Sequence, residues 1–253
     1  MDSLRHAFGF LTILPVTSPG EAPSAASRAW FPIVGLALGA LLVGLDALLR
    51  LGLPTIVVGA LLLAATLIVT RALHTEGFLD CCDGLFGAYT PEARLKILRD
   101  THVGAFAVIG GAVLLILKFG LLASLPDGAR IGLLLVFPCL SRMGMLLTMS
   151  LFPYARRAGA GTTLQEGASR WQVMIGLATA ALASGLFLGP GGFILFGMVI
   201  VAALGMGLWI SSLLGGMTGD AYGAVNELGE VVVLVSGIAL VSALASLFET
   251  PFW

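Results

Sequence analysis

The stretch GAFAVIGGAVLLILKFGLLASL, residues 104–125, decides the fold. It carries one charge, Lys118, and it is long enough to cross a bilayer core as a helix, which takes about 20 residues. Six further runs of the same kind cover residues 30–49, 54–73, 131–152, 173–189, 193–214 and 231–248. Of the 253 residues 58% are hydrophobic and 11% charged, against about 25% charged in an average soluble domain. Mean hydropathy is +1.03. The expected fold is all-α: a polytopic integral membrane protein of about seven transmembrane helices, preceded by a short N-terminal interfacial segment. Gly189-Pro-Gly-Gly192 predicts a tight hairpin between the fifth and sixth spans. No soluble domain or linker is visible, so residues 1–253 read as a single membrane domain. The 34 glycines, spread through the apolar runs, suit close helix packing in lipid.

Positive charge orients the chain. With the N-terminus in the cytoplasm, the first segment and the longer connections 75–103, 153–172 and 215–230 share that side. That side holds Arg5, Arg28, Arg71, Arg94, Lys96, Arg99, Arg156, Arg157 and Arg170; the other holds Arg50 and Arg130. The expected location is the cytoplasmic (inner) membrane of a prokaryote, with the polar chemistry facing the cytoplasm. A formal net charge of −1 gives no reason for a nucleic-acid partner. Cys81, Cys82 and Cys139 form neither a metal spacing nor a disulfide framework and read as small reduced hydrophobes. The apolar run after Arg5 faintly resembles a cleavable signal, but Asp2 weakens its charged head, and an amphipathic or re-entrant segment is the better reading.

Against this background residues 74–85, HTEGFLDCCDGL, place three acids in a nearly lipid-soluble chain. Intramembrane charges are costly and mark function by default. At spacings of four and three, Glu76, Asp80 and Asp83 fall within an arc of about 60° on one helix face. A shared divalent cation would keep them ionised, and carboxylate oxygens suit Mg²⁺, Mn²⁺ or Ca²⁺ better than zinc. Gly77 and Gly84 permit close approach. His74 could serve as a general base or a phosphate contact, or stand idle at the interface.

Three other stretches carry polar chemistry, and with the first they define cytoplasmic segments 74–104, 141–161 and 215–230. Thr90-Pro91 starts a basic amphipathic helix with Arg94, Lys96 and Arg99, either resting on anionic headgroups or reaching a phosphate. Asp100 stands at the mouth of the third span. Arg142 lies near mid-span and needs an acid from another helix or a phosphate. Arg156 and Arg157 are positive-inside residues first and phosphate contacts second. In GGMTGDAYGAVNELGE, residues 215–230, backbone N–H groups around Thr218 and Gly219 could cradle a phosphate, and Asp220 and Glu227 share a face. Acids for metal, arginines for phosphate and glycines for close approach are what transfer of a phosphate-bearing group requires.

In order along the chain, FLTILP (10–15), FPIVG (31–35), HTEGFLDCCDGL (74–85), KILRDTHVGAF (96–106), Ser141-Arg142, Pro153-Tyr-Ala-Arg156 and GMTGDAYGAVNE (216–227) resemble the cobalamin synthase family, adenosylcobinamide-GDP ribazoletransferase. Glu76 stands where that family usually has Asp, and His102 where Arg is expected. The resemblance implies adenosylcobinamide-GDP and α-ribazole, or its 5′-phosphate, as substrates. A ribose hydroxyl would attack the phosphorus nearest the cobinamide and expel GMP, giving adenosylcobalamin or its phosphate. It also implies Mg²⁺ held by Glu76, Asp80, Asp83 and Asp220, with Asp80 and Asp83 thereby catalytic. His74 or Asp100 would take the hydroxyl proton. Arg94, Arg142, Arg156, Thr218, Gly219, Asn226 and Glu227 would contact substrate. Lipid is the surrounding partner, and a homo-oligomer is compatible with the chain. Two rivals fit less well. A CDP-alcohol phosphotransferase would need an Asp-x-x-x-Asp that does not appear, and a divalent-cation transporter would need polar groups near the midplane reachable from both sides.

Overall fold

The computed structural model describes residues 2–18, 23–155, 164 and 169–250. Nine helices follow in order among them: α1 (Asp2–Leu11), α2 (Phe31–Leu49), α3 (Thr55–Val69), α4 (Leu73–Phe86), α5 (Pro91–Ile97), α6 (Ala105–Ala123), α7 (Arg130–Leu151), α8 (Arg170–Leu214) and α9 (Gly219–Ala243). Helices satisfy their own backbone, which lipid cannot do. The chain is a multi-pass α-helical membrane protein. Five helical segments are long and apolar enough to cross, or six if the bent pair α3 and α4 makes one span.

That criterion does not reach the expected seven, and the differences have local causes. The run at 54–73 is not one rod: α3 and α4 meet at 90°. Arg71 and Ala72 take left-handed φ values of 54° and 52° at the corner, a conformation costing on the order of 1 kcal/mol per residue. The segment 170–214 counts once by that criterion, yet it is broken at Gly189, where φ is 60° and ψ is −152°, at the hairpin expected between the fifth and sixth spans. There it folds back: a Cβ on Gly192 would strike the Ser184 carbonyl, and Phe193 lies against Gly185. Finally, α9 begins at Gly219, so most of the expected connection 215–230 is helix.

α7 is buried along nearly its whole length and packs against α2, α8 and α9. Lipid tails are as apolar as leucine, so packing and polar contacts, not hydrophobic burial, hold such helices together. Gly35 and Gly39 let α2 lie directly on α7; a Cβ at either would fall on the Pro138 or Leu135 carbonyl.

Polar contacts supply the specificity. On α6, Lys118 Nζ donates to Glu227 Oε2 at 2.7 Å and to Glu230 Oε2 at 2.6 Å, both on α9. Arg142 of α7 donates to Glu230 Oε1 at 3.2 Å, and Asn226 does the same at 3.2 Å. Thr75 Oγ1 of α4 donates to Glu227 Oε1 at 3.0 Å. All of these side chains are buried, and the two cations balance the two carboxylates. A second buried pair, Arg130 and Asp46, joins α7 to α2 through three donor–acceptor contacts of 2.6–3.0 Å.

Removing one member of a buried pair strands its partner, at a cost of about 3–5 kcal/mol. Lys118→Met should therefore lower the melting temperature of the detergent-purified protein sharply. Lys118→Met with Glu227→Gln leaves Arg142 and Glu230 balanced and should recover much of the loss in the same thermal melt.

Candidate active site

The helix α4 crosses α9 with their backbones in near contact. A Cβ on Gly77 would lie 2.8 Å from the Asp220 carbonyl oxygen, and one on Gly223 would lie 2.8 Å from that of His74. The two helices enclose a cavity of about 260 Å³. Its polar wall is His74, Glu76 and Asp80 from α4 with Gly219 and Asp220 from α9; its apolar wall includes Phe10, Met145, Met149, Leu164 and Tyr222. Thr218 caps α9 by accepting from Ala221 N at 3.1 Å. Gly219 has open space where a side chain would be, so the first turn of α9 faces the cavity bare. A helix N-terminus is a ready anion site.

His74 is buried, and its Nε2 has no hydrogen-bond partner among the described residues. Buried polar atoms are rarely left so, and here the ring lines a cavity where a substrate group can meet it. The carboxylates fit a hard cation by donor type. Among the described residues no group of three or more His, Cys, Asp and Glu side chains is placed to hold a metal ion by itself. Mg²⁺ asks for less than a cage, since one or two carboxylates plus substrate phosphate oxygens usually hold it.

The remaining expected residues lie elsewhere. Asp83 shares the helix with Glu76 and Asp80 but turns to α6, accepting from Gly104 N at 2.6 Å and Ala107 N at 2.9 Å. Asp100 is exposed and receives His102 at its Oδ1, with Nδ1 at 2.6 Å. That hydrogen bond holds the Asp100 carboxyl below its usual range, which weakens it as a base. Arg94 ties α5 into place, donating to Ala88 O at 2.9 Å and Leu213 O at 3.4 Å. Arg142, Asn226 and Glu227 sit in the buried ion network; of the two partners open to Arg142, the structure supplies the acid, Glu230. Arg156 lies outside the described residues. Its neighbour Tyr154 stacks on Tyr222, ring centroids 6.4 Å apart, and Ala155 N donates to Met217 O at 2.8 Å, so that strand of chain runs beside the α9 entry. Sequence reasoning passed over Glu230 and over Lys118 as its partner. The available signal was a lysine inside an otherwise apolar span, which requires an acid on another helix.

Asp83 supplies the N-terminal cap of α6, and losing such a cap costs about 1 kcal/mol. Asp83→Ala should show that loss in a thermal melt of the purified protein, with or without divalent cation; a loss seen only with cation present would move Asp83 back to the metal.

A family model described as cobalamin-5-phosphate synthase matches residues 3–239. A relative from Desulfitobacterium hafniense, named adenosylcobinamide-GDP ribazoletransferase, is 39% identical over 251 residues, covering 95% of this chain and 98% of its own. Relatives of the same name from Geotalea daltonii and Syntrophobacter fumaroxidans are 36% and 38% identical, covering 92% and 90% of this chain and 96% and 94% of theirs. No solved structure matches the chain. With a match over nearly its full length and relatives this similar end to end, the chain belongs to the cobalamin-5-phosphate synthase family.

Proposed function

We propose that the chain joins adenosylcobinamide-GDP to α-ribazole, or to its 5′-phosphate, releasing GMP and forming adenosylcobalamin or its 5′-phosphate. The observation that carries this reading is the single cavity in which Glu76, Asp80, Asp220, the bare first turn of α9 and the unpartnered His74 nitrogen converge. At about 260 Å³ the cavity suits a diphosphate and a ribose, with the corrin ring left outside. A ribose hydroxyl oxygen bonds to the phosphorus nearest the cobinamide. The bond from that phosphorus to the bridging oxygen breaks, and its electron pair leaves with GMP.

His74 Nε2 is the proposed acceptor of the hydroxyl proton, in preference to the exposed Asp100. The N–H groups of Gly219 and Asp220 face the diphosphate and offset its charge. Mg²⁺ held by one or two of Glu76, Asp80 and Asp220 together with substrate phosphate oxygens would neutralise charge on the transferring and departing phosphates. Asp83 then serves the site at one remove, by fixing α6 against α4. The reacting end faces the cytoplasm of a prokaryotic inner membrane, a reading that the bias of Arg and Lys supports in its orientation.

GMP release is the direct test. Purified protein in liposomes with both substrates and Mg²⁺ should form GMP, and EDTA should stop it. Asp80→Ala should cut turnover by about 100-fold or more in a protein that still melts cooperatively. Full activity in Asp80→Ala, or turnover indifferent to EDTA, would sink the metal proposal. Orientation is tested by impermeant maleimide on intact cells, in a background lacking the three native cysteines. A cysteine replacing exposed Gly128, between α6 and α7, should label from outside. One replacing Tyr89, which is 94% exposed between α4 and α5, should label only after lysis.

A further inference from the structure

Among the described residues the buried charges of the bundle do not balance. Lys118 and Arg142 meet Glu227 and Glu230, and Arg130 meets Asp46. Arg28 is left over: it is fully buried, and among the described residues no carboxylate pairs with it. The side chain comes from the short 3₁₀ helix Ala25–Trp30 that precedes α2. Its N–H groups go to neutral oxygens. Nη2 donates to Gln172 Oε1 at 2.9 Å, and Nε and Nη1 donate to the Ala25 and Met149 carbonyls, each at 3.4 Å. Gln172 stands in the first turn of α8, where the helix dipole is positive and gives a cation no relief. A guanidinium stays ionised in proteins, and a buried charge left unmatched is costly.

The contact with Met149 gives the direction. Met149 lies in the last turn of α7. Four residues on stands Pro153, which has no N–H to offer that carbonyl. The C-terminal end of a helix carries a negative partial charge. Met145 and Met149 line the cavity, so this negative end stands beside the space assigned to a diphosphate. Tyr222, also in the cavity wall, lies within electrostatic reach of the guanidinium. Arg28 thus stands behind the apolar wall, shielded from water but not from charge inside the cavity.

We infer that Arg28 is a positioning residue for the anionic substrate: through the Met149 carbonyl it offsets the negative end of α7, and its unmatched charge favours a diphosphate in the cavity. This rests on the function proposed above. The cavity meets α9 at its positive end and α7 at its negative end; Arg28 counters the second without occupying the space. A neutral partner in place of an acid is what such a site requires. A carboxylate at position 172 would satisfy Arg28 within the protein and leave the cavity less favourable to an anion.

The test sets stability against binding. Gln172→Glu puts a carboxylate where Arg28 Nη2 now meets an amide oxygen and keeps the length of the side chain. The melting temperature should hold or rise, while KM for adenosylcobinamide-GDP should rise about tenfold, the size of a charge effect at a partly buried helix end. KM for α-ribazole, which carries no charge, should not move. Arg28→Gln should show the same selective rise, and Arg28→Lys should recover part of it. An unchanged KM for the anionic substrate in Gln172→Glu, or an equal rise for both substrates, would overturn the inference and leave Arg28 as a tie between α7 and α8. Should Arg28→Gln fail to fold, Gln172→Glu still decides. Failure of the function itself reads differently: wild-type protein would release no GMP, while calorimetry with inorganic pyrophosphate and Mg²⁺ would still show binding that weakens in Gln172→Glu. Pyrophosphate bound equally by both proteins would overturn the inference.

Discussion

Two glutamates on α9 face a lysine on α6 inside a structure otherwise made for lipid, and that constraint organises the rest. An unpaired charge at such depth is costly, so α6, α7 and α9 can occupy only the register in which Lys118, Arg142, Glu227 and Glu230 meet. Thr75 extends the network to α4 through Glu227. The residues on either side of Thr75 are His74 and Glu76, which line the cavity. Charge balance in the bundle interior thus fixes where the cavity's acids stand, although none of the network's ionised groups lines it.

The cavity acids differ from the network acids in what surrounds them. Glu227 and Glu230 have their charges met by protein. Glu76 is exposed, Asp80 partly so, and both line the cavity beside Asp220. Carboxylates grouped in one partly open cavity suit a hard cation by donor type. Asp83 belongs to neither group. It spends its charge on the N-terminus of α6, where the helix dipole favours an anion.

Periodicity made much of this legible. The apolar runs disclosed a membrane bundle, and the 76–80 spacing placed two acids on one face because α-helical geometry leaves little choice. The same arc misplaced Asp83: a residue at the edge of a 60° sector can turn to either neighbour, and only the position of α6 decides. The corner at Arg71 and Ala72 was illegible because neither glycine nor proline marks it. The 215–230 segment read as a connection because glycine and polar residues dominate it, yet α9 starts at Gly219; burial against α4, α6 and α7 outweighs local composition there. Asn226 and Glu227 are expected at substrate from their place in the stretch that resembles the family motif, 216–227. One helical turn or more separates them from the cavity, enough to carry them into the network.

The glycine contact between α4 and α9 divides the cavity into two halves of unlike character. Where Gly77 meets the Asp220 backbone and Gly223 meets that of His74, main chain rests on main chain, and no side chain is left to repack. The spacing of the acids is then as inflexible as the helices themselves. The facing wall, with Met145, Met149 and Leu164, is built of side chains that change shape at little cost. Adaptation to a different nucleoside base would have to occur on that wall, leaving the chemistry of the glycine-backed side intact.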